Sequence, residues 1–127
     1  MTTRPAARLS AIVLDTPDPR SLAASYQRLL GWERREDEAE WVRIGPAGGG
    51  PGLSFQAEAR HRAPTWPAGP GDQQMQLHLD LQVDDLDEAV ALATSLGGRL
   101  AGEQPQERVR VLVDPAGHPF CLFLAGA

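Results

Sequence analysis

The chain has 127 residues, with 17 acidic against 12 basic side chains for a net charge of −5, and 42% apolar and 23% charged residues. That is the balance of one soluble globular domain, or of two small halves sharing a core. Every basic residue is arginine, which excludes Schiff-base chemistry and a lysine-dependent phosphate loop, and an acidic chain without a basic block excludes nucleic acid and anionic membrane as expected partners.

A single cysteine, Cys121, leaves no intrachain disulfide and no cysteine-rich zinc site. The longest apolar run, Phe120 to Ala125, is too short to span a membrane, and Met1 to Arg8 carries no signal-like apolar segment, so the expected location is the cytoplasm.

Residues 1–8 read as a tail. Leu9 to Asp15 is apolar and β-branched enough for a strand, and Asp18-Pro19 then supplies an N-cap followed by proline in the first helical turn. Leu22, Tyr26, Leu29 and Leu30 form the apolar stripe of the helix, and Gly31 ends it. Two strands, Trp32 to Glu36 and Glu40 to Ile44, flank an acidic turn, and a third runs from Leu53 to Ala57 after a Gly/Pro-rich stretch. Residues 9–57 thus form a βαβββ unit.

Residues 58–74, with Pro64, Pro67 and Pro70, read as a linker, and residues 75–127 repeat the unit. Met75 to Val83 is predicted as a strand. Asp85 with Glu88 caps a helix through Leu96, which Gly97-Gly98 terminates. Arg99 to Glu103, Arg108 to Val113 and Phe120 to Leu124 supply three more strands. A constant offset of 67 residues aligns Leu14 with Leu81, Asp18 with Asp85, Gly31 with Gly98, Arg43 with Arg110 and Gly50 with Gly117, as two copies of one unit require.

In Met75 to Val83, Leu77, Leu79, Leu81 and Val83 alternate with Gln76, His78, Asp80 and Gln82, so one face is apolar and the other open. Carrying this parity through the repeat puts Ala11, Val13, Asp15, Trp41, Arg43, Ser54 and Gln56 on the open face of the first unit. Arg108, Arg110, Cys121 and Phe123 fall on that of the second. Aromatic and polar groups mixed in this way suit a pocket for a small, partly aromatic molecule; a solvated sheet or one covered by a partner subunit is the other reading.

The paired units, the run Gln76-Leu-His-Leu-Asp-Leu-Gln-Val-Asp-Asp85, the terminal Asp114-Pro-Ala-Gly-His-Pro-Phe-Cys-Leu122 and the Leu29-Leu30-Gly31-Trp32 helix end resemble the vicinal oxygen chelate superfamily, the glyoxalase and bleomycin-resistance proteins. The resemblance implies an α+β fold in which two tandem βαβββ modules form a cupped mixed sheet with helices outside, and a protein that pairs as a homodimer. Family enzymes hold a divalent metal with four side chains, whose positions fall here on Ala11, Ser54 (or Gln56), His78 and Cys121. Ala11 has no donor and Cys121 stands where a glutamate is usual, so the expectation is a chain with no metal and no cofactor.

Within that frame the function expected is metal-independent binding of an aromatic or natural-product-like small organic molecule, as in drug sequestration and antibiotic resistance. Trp41, Trp66 and Phe123 are candidates to stack on it, and Arg43 and Arg110 to clamp a carboxylate or phosphate. Asp80 either orients His78 or meets a cationic ligand, the bland alternative being an ion pair with Arg43 or Arg110. The alternative function is an enzyme, a lyase, isomerase or dioxygenase-like protein, with His78 as base or metal ligand. For Cys121 simple packing is favoured over nucleophilic chemistry. His118 reads as a turn residue, and Arg60, His61 and Arg62 as a solvated loop.

Overall fold

The computed structural model describes residues 3–127. In chain order the elements are β1 (Ala11–Thr16), α1 (Pro19–Leu30), β2 (Glu33–Glu38), β3 (Trp41–Gly45) and β4 (Gly52–Ala57), then β5 (Leu79–Gln82), α2 (Leu86–Ser95), β6 (Arg99–Leu100), β7 (Val109–Val113) and β8 (Pro119–Phe123). The first module folds into a four-stranded sheet of order β1-β4-β3-β2 and the second into one of order β5-β8-β7-β6. In each sheet the first strand runs parallel to the last, and the other pairs are antiparallel. The fold is the expected α+β one, with a repeated βαβββ module.

Both helices start where their caps dictate. The Asp18 side chain accepts a hydrogen bond from the Ser21 amide and the Asp85 side chain one from the Glu88 amide, each satisfying an orphan donor of the first turn. Gly31 closes α1 at φ 69°, a backbone region open to glycine. Leu22, Ala23 and Tyr26 of α1 bury against Leu14, Val42, Ile44, Leu53 and Phe55 of the first sheet. Ala93 of α2 does the same with Leu112, Phe120 and Leu122 of the second. Strand β2 reads Glu-Arg-Arg-Glu-Asp-Glu and takes the sheet edge, where charge blocks further strand pairing.

The modules meet through α1. Tyr26 stacks edge-on against Phe120 with ring centroids 5.8 Å apart, and its hydroxyl donates to Asp114 Oδ2 at 2.7 Å. Ser25 Oγ donates to the Leu96 carbonyl at 2.7 Å, and a ring nitrogen of His118 lies 2.7 Å from the Asp15 carbonyl.

Three sequence expectations need correction. The strand predicted over Met75 to Val83 spans only Leu79–Gln82, because its partner β8 begins at Pro119, whose missing N–H cannot extend the ladder past the Leu79–Phe120 pair. The strand predicted over Arg99 to Glu103 shrinks to Arg99–Leu100. His61, read as part of a solvated loop, folds onto the β7–β8 turn: a ring nitrogen lies 2.8 Å from the Ala116 carbonyl, and its ring sits 4.9 Å from that of His118.

Candidate functional site

Register decides which side chains leave the helix-covered face. In the first module Leu53 and Phe55 point into the core, so their neighbours Ser54 and Gln56 lie on the opposite face. Trp41 and Arg43 join them through the pairs Trp41–Gln56 and Arg43–Ser54. In the second, Leu122 and Phe120 face α2, and the open face carries Asp80, Cys121, Gln82 and Phe123.

Arg110 departs from the expected parity. It pairs with core-facing Leu122, while Val111 pairs with Cys121, so Val109 and Val111 take the open face and Arg110 the other. The β7–β8 connection is one residue shorter than its β3–β4 counterpart, and a one-residue slip moves every side chain to the opposite face. Arg110 spends its guanidinium on the carbonyls of Gln106, Glu107 and Val109. It is therefore not a partner of Arg43 in a ligand clamp. Arg43 itself donates to the Ser10 carbonyl at 3.2 Å, and Gln56 Nε2 donates to Asp15 Oδ1 at 2.9 Å.

Over the open face of the second sheet lies a cavity of about 180 Å³. Val109, Val111, Pro119 and Cys121 make its floor with His78 beside them. Trp66 and Met75 of the connecting segment, with Pro105 and Gln106 before β7, wall it in. Of the candidate residues, Trp66, His78 and Cys121 line this cavity. Trp41, Arg43 and Gln56 belong to the first module's face, and neither they nor Phe123 line this cavity. The two valines were missed because of the parity slip, and Met75, Pro105 and Gln106 because no local pattern marks a loop residue as a wall.

Asp80 does not line the cavity but stands beside two of its polar residues, His78 and Cys121. His78 Nε2 lies 3.1 Å from Asp80 Oδ1, so Asp80 pairs with His78 rather than with either arginine. Ligand atoms of His78, Asp80 and Cys121 all lie within 4.8 Å of one another. Burial first, then the charge of Asp80 and a hydrogen bond to it, push the Cys121 thiol above its ordinary range, which keeps it protonated at neutral pH and unsuited to nucleophilic attack.

The four-ligand metal centre of family enzymes does not fit this chain. Ala11 carries no donor atom, and Ser54 Oγ is buried on the first module's sheet with no hydrogen-bond partner among the described residues. His78 and Cys121 are the two of the four positions that line the second-module cavity.

Paired βαβββ modules with a half-open cup define a glyoxalase-type scaffold, and sequence comparison agrees. The model of the glyoxalase-like domain family matches residues 11–123, and the chain belongs to that family and so to the vicinal oxygen chelate superfamily. No curated protein is significantly similar in sequence. Among solved structures, a glyoxalase/bleomycin resistance protein/dioxygenase family enzyme from Burkholderia phytofirmans superposes with a TM-score of 0.70 at 20% identity, covering 93% of this chain and 98% of its own. TnmS3, an antibiotic binding protein from Streptomyces sp. CB03234, gives 0.62 at 19% identity over 96% and 98%. The fosfomycin resistance protein FosX from Listeria monocytogenes gives 0.69 at 19% identity over 94% of both chains. At these identities the likeness is one of fold. No helix of the described residues is long and apolar enough to cross a membrane.

Proposed function

We propose that this protein binds a small organic molecule carrying a planar ring in the cup of its second module, without an ion at the four family metal positions, and that binding itself is its function, as in drug sequestration. The observation that carries this reading is Trp66 folded over the open sheet face to close a cavity floored by valines, with His78 as a polar end. A preformed, mostly apolar concavity with one convergent polar group is the usual form of a small-molecule site. At about 180 Å³ it suits one substituted ring rather than a whole drug-sized molecule, since a dry cavity of roughly 150 Å³ already accepts benzene. A larger natural product would insert one ring and leave the rest outside. The antibiotic-binding and fosfomycin-resistance names of structural neighbours support a small-molecule-binding or resistance role and leave the ligand's chemistry to the cavity itself.

Calorimetric titration with anthraquinones and smaller phenolic compounds, in the presence of EDTA, tests the reading. Binding in the micromolar range is expected, and Trp66→Ala should weaken it about tenfold, the equivalent of one lost aromatic stack of roughly 1.4 kcal/mol. Affinities no tighter than millimolar across the panel, or an unchanged affinity in Trp66→Ala, would reject it. The close His78–Asp80 pair favours a second reading, an enzyme in which an oriented imidazole acts as base. Conversion of the bound compound by the wild type, lost in His78→Ala while affinity is kept, would replace binding by catalysis as the function.

We further propose that the protein works as a homodimer in which a second copy covers the cleft between the modules. Val13 and Leu77, 43% and 46% exposed, both line that cleft, and this exposed apolar surface supports the reading.

A further inference from the structure

The fixed charge around the second cup is of one sign. Among the described residues no arginine lines the cavity, and the chain has no lysine. Arg110 of β7 leaves by the opposite face and gives its guanidinium to three carbonyls, while Arg60 and Arg62 line the neighbouring cleft between the modules. Asp80 is the carboxylate at the polar end. It pairs with Cys121 across the β5–β8 ladder, and among the described residues its one basic neighbour within ion-pair distance is His78.

We propose that the second cup selects an organic cation: a planar ring carrying a protonated amine on a short arm, with the ring on the valine floor under Trp66 and the ammonium at Asp80. The inference rests on the ring-binding reading above and adds the charge of the ligand, which that reading leaves open. It runs against an anionic ligand, the carboxylate or phosphate for which Arg43 and Arg110 are the sequence candidates.

Reach and field both favour the cation. Side-chain atoms of Asp80 and Cys121 lie within 4.8 Å of each other, and Cys121 is part of the floor, so a ring resting there has the carboxylate within a short arm of its edge. Val109, Val111 and Trp66 keep water from the ring side, which strengthens the field of Asp80 toward the ligand and makes an anion there costly. On its other side the Asp80 side chain is 60% exposed, so an incoming ammonium pairs with it without stripping it fully of water. The same exposure limits the gain. Water and salt screen a half-open ion pair, which places the preference at about fivefold rather than a thousandfold. A neutral His78 imidazole offers a lone pair to a second N–H of the same ammonium.

Calorimetry in EDTA with three compounds that share one ring system is the test: 2-(aminomethyl)anthraquinone, 2-(hydroxymethyl)anthraquinone and anthraquinone-2-carboxylate. At neutral pH the amine should bind about fivefold more tightly than the alcohol, and the carboxylate about fivefold more weakly. In Asp80→Asn the amine-to-alcohol ratio should fall to near one. Asp87→Asn removes the same charge from the first turn of α2, across the sheet from the cavity, and should keep the ratio, which separates a local carboxylate from the net charge of −5. A carboxylate that binds as tightly as the amine, or a ratio unchanged in Asp80→Asn, would overturn the proposal. Equal binding of all three, weakened by Trp66→Ala, removes this inference and leaves the ring reading standing. No binding by any of the three removes both.

Discussion

Asp114 shows how much one side chain carries in a small domain. Only 4% exposed, it accepts hydrogen bonds from the Tyr26 hydroxyl at 2.7 Å, the Ala116 amide at 2.9 Å and the His118 amide at 3.0 Å, joining α1 to the β7–β8 turn. Burial still outweighs His118 and these donors and holds the carboxyl above its ordinary 3.8. Burial, and then the charge and hydrogen bond of Asp114, likewise push the Tyr26 hydroxyl well above its usual range. An acid whose folded pKa exceeds its unfolded one contributes stability at low pH, and that contribution is lost as pH rises from 3.8 through the raised value. Asp114→Asn keeps the shape and one acceptor but cannot ionise. Its unfolding free energy should therefore improve relative to wild type as pH rises through this window and then level off, as measured by urea denaturation at stepped pH. A difference that stays flat across the window would show that Asp114 ionises normally. Tyr26→Phe removes a donor from a buried carboxylate and should cost about 1–3 kcal/mol at neutral pH.

At the scale of the element, the turn between β3 and β4 sets how closely the strands of the first sheet start. A Cβ at Gly52 would collide with the backbone carbonyl of Ile44, whereas one at Gly48 meets nothing within 4 Å. Gly52→Ala should thus destabilise by roughly 1–3 kcal/mol through forced backbone movement. Gly48→Ala should be neutral, or stabilising by about 0.4–1 kcal/mol through the unfolded chain. Thermal melts of the pair check this, and equal losses would contradict it. The same contrast between local and distant causes explains what the sequence made legible. Both helices were readable because Asp18, Gly31 and Asp85 act on amides and carbonyls within a few residues of themselves. The core side of β1, β4, β5 and β8 was readable from period-two alternation. Strand β7 was not: in Val109-Arg-Val-Leu-Val113 both faces carry apolar residues, so only the length of the β7–β8 connection fixes which is buried, and that departs from the repeat by one residue. Trp66 was legible as an aromatic candidate for stacking, but Met75 and the Pro105–Gln106 wall depend on how a long connection folds back, which no local periodicity encodes.

For the whole molecule, the asymmetry between the two cups matters most. The connecting segment closes the second with Trp66 and Met75, while the first keeps Val13 43% exposed, on the same face as half-buried Trp41 and Arg43. A second copy of the chain, as proposed above, would cover the exposed part of the first face. Val13 and Leu77 line a cleft of about 380 Å³ between the modules, flanked by Asp15 and Glu58 as well as Arg60 and Arg62. Apolar residues rimmed by both signs of charge can meet a rotated copy of themselves, as a two-fold interface requires. Sedimentation equilibrium over a range of concentrations should then return a mass rising from one chain to two. Val13→Arg lies on an exposed position of β1, so it should leave the melting temperature nearly unchanged. Because it forces a charge into a closed apolar contact, it should weaken dimerisation by on the order of tenfold or more. Trp66→Ala, acting on the other cup, should leave the dimer alone. A mass of one chain at every concentration, or a dimer indifferent to Val13→Arg, would mean that the first cup stays open and that the second cup serves a monomer.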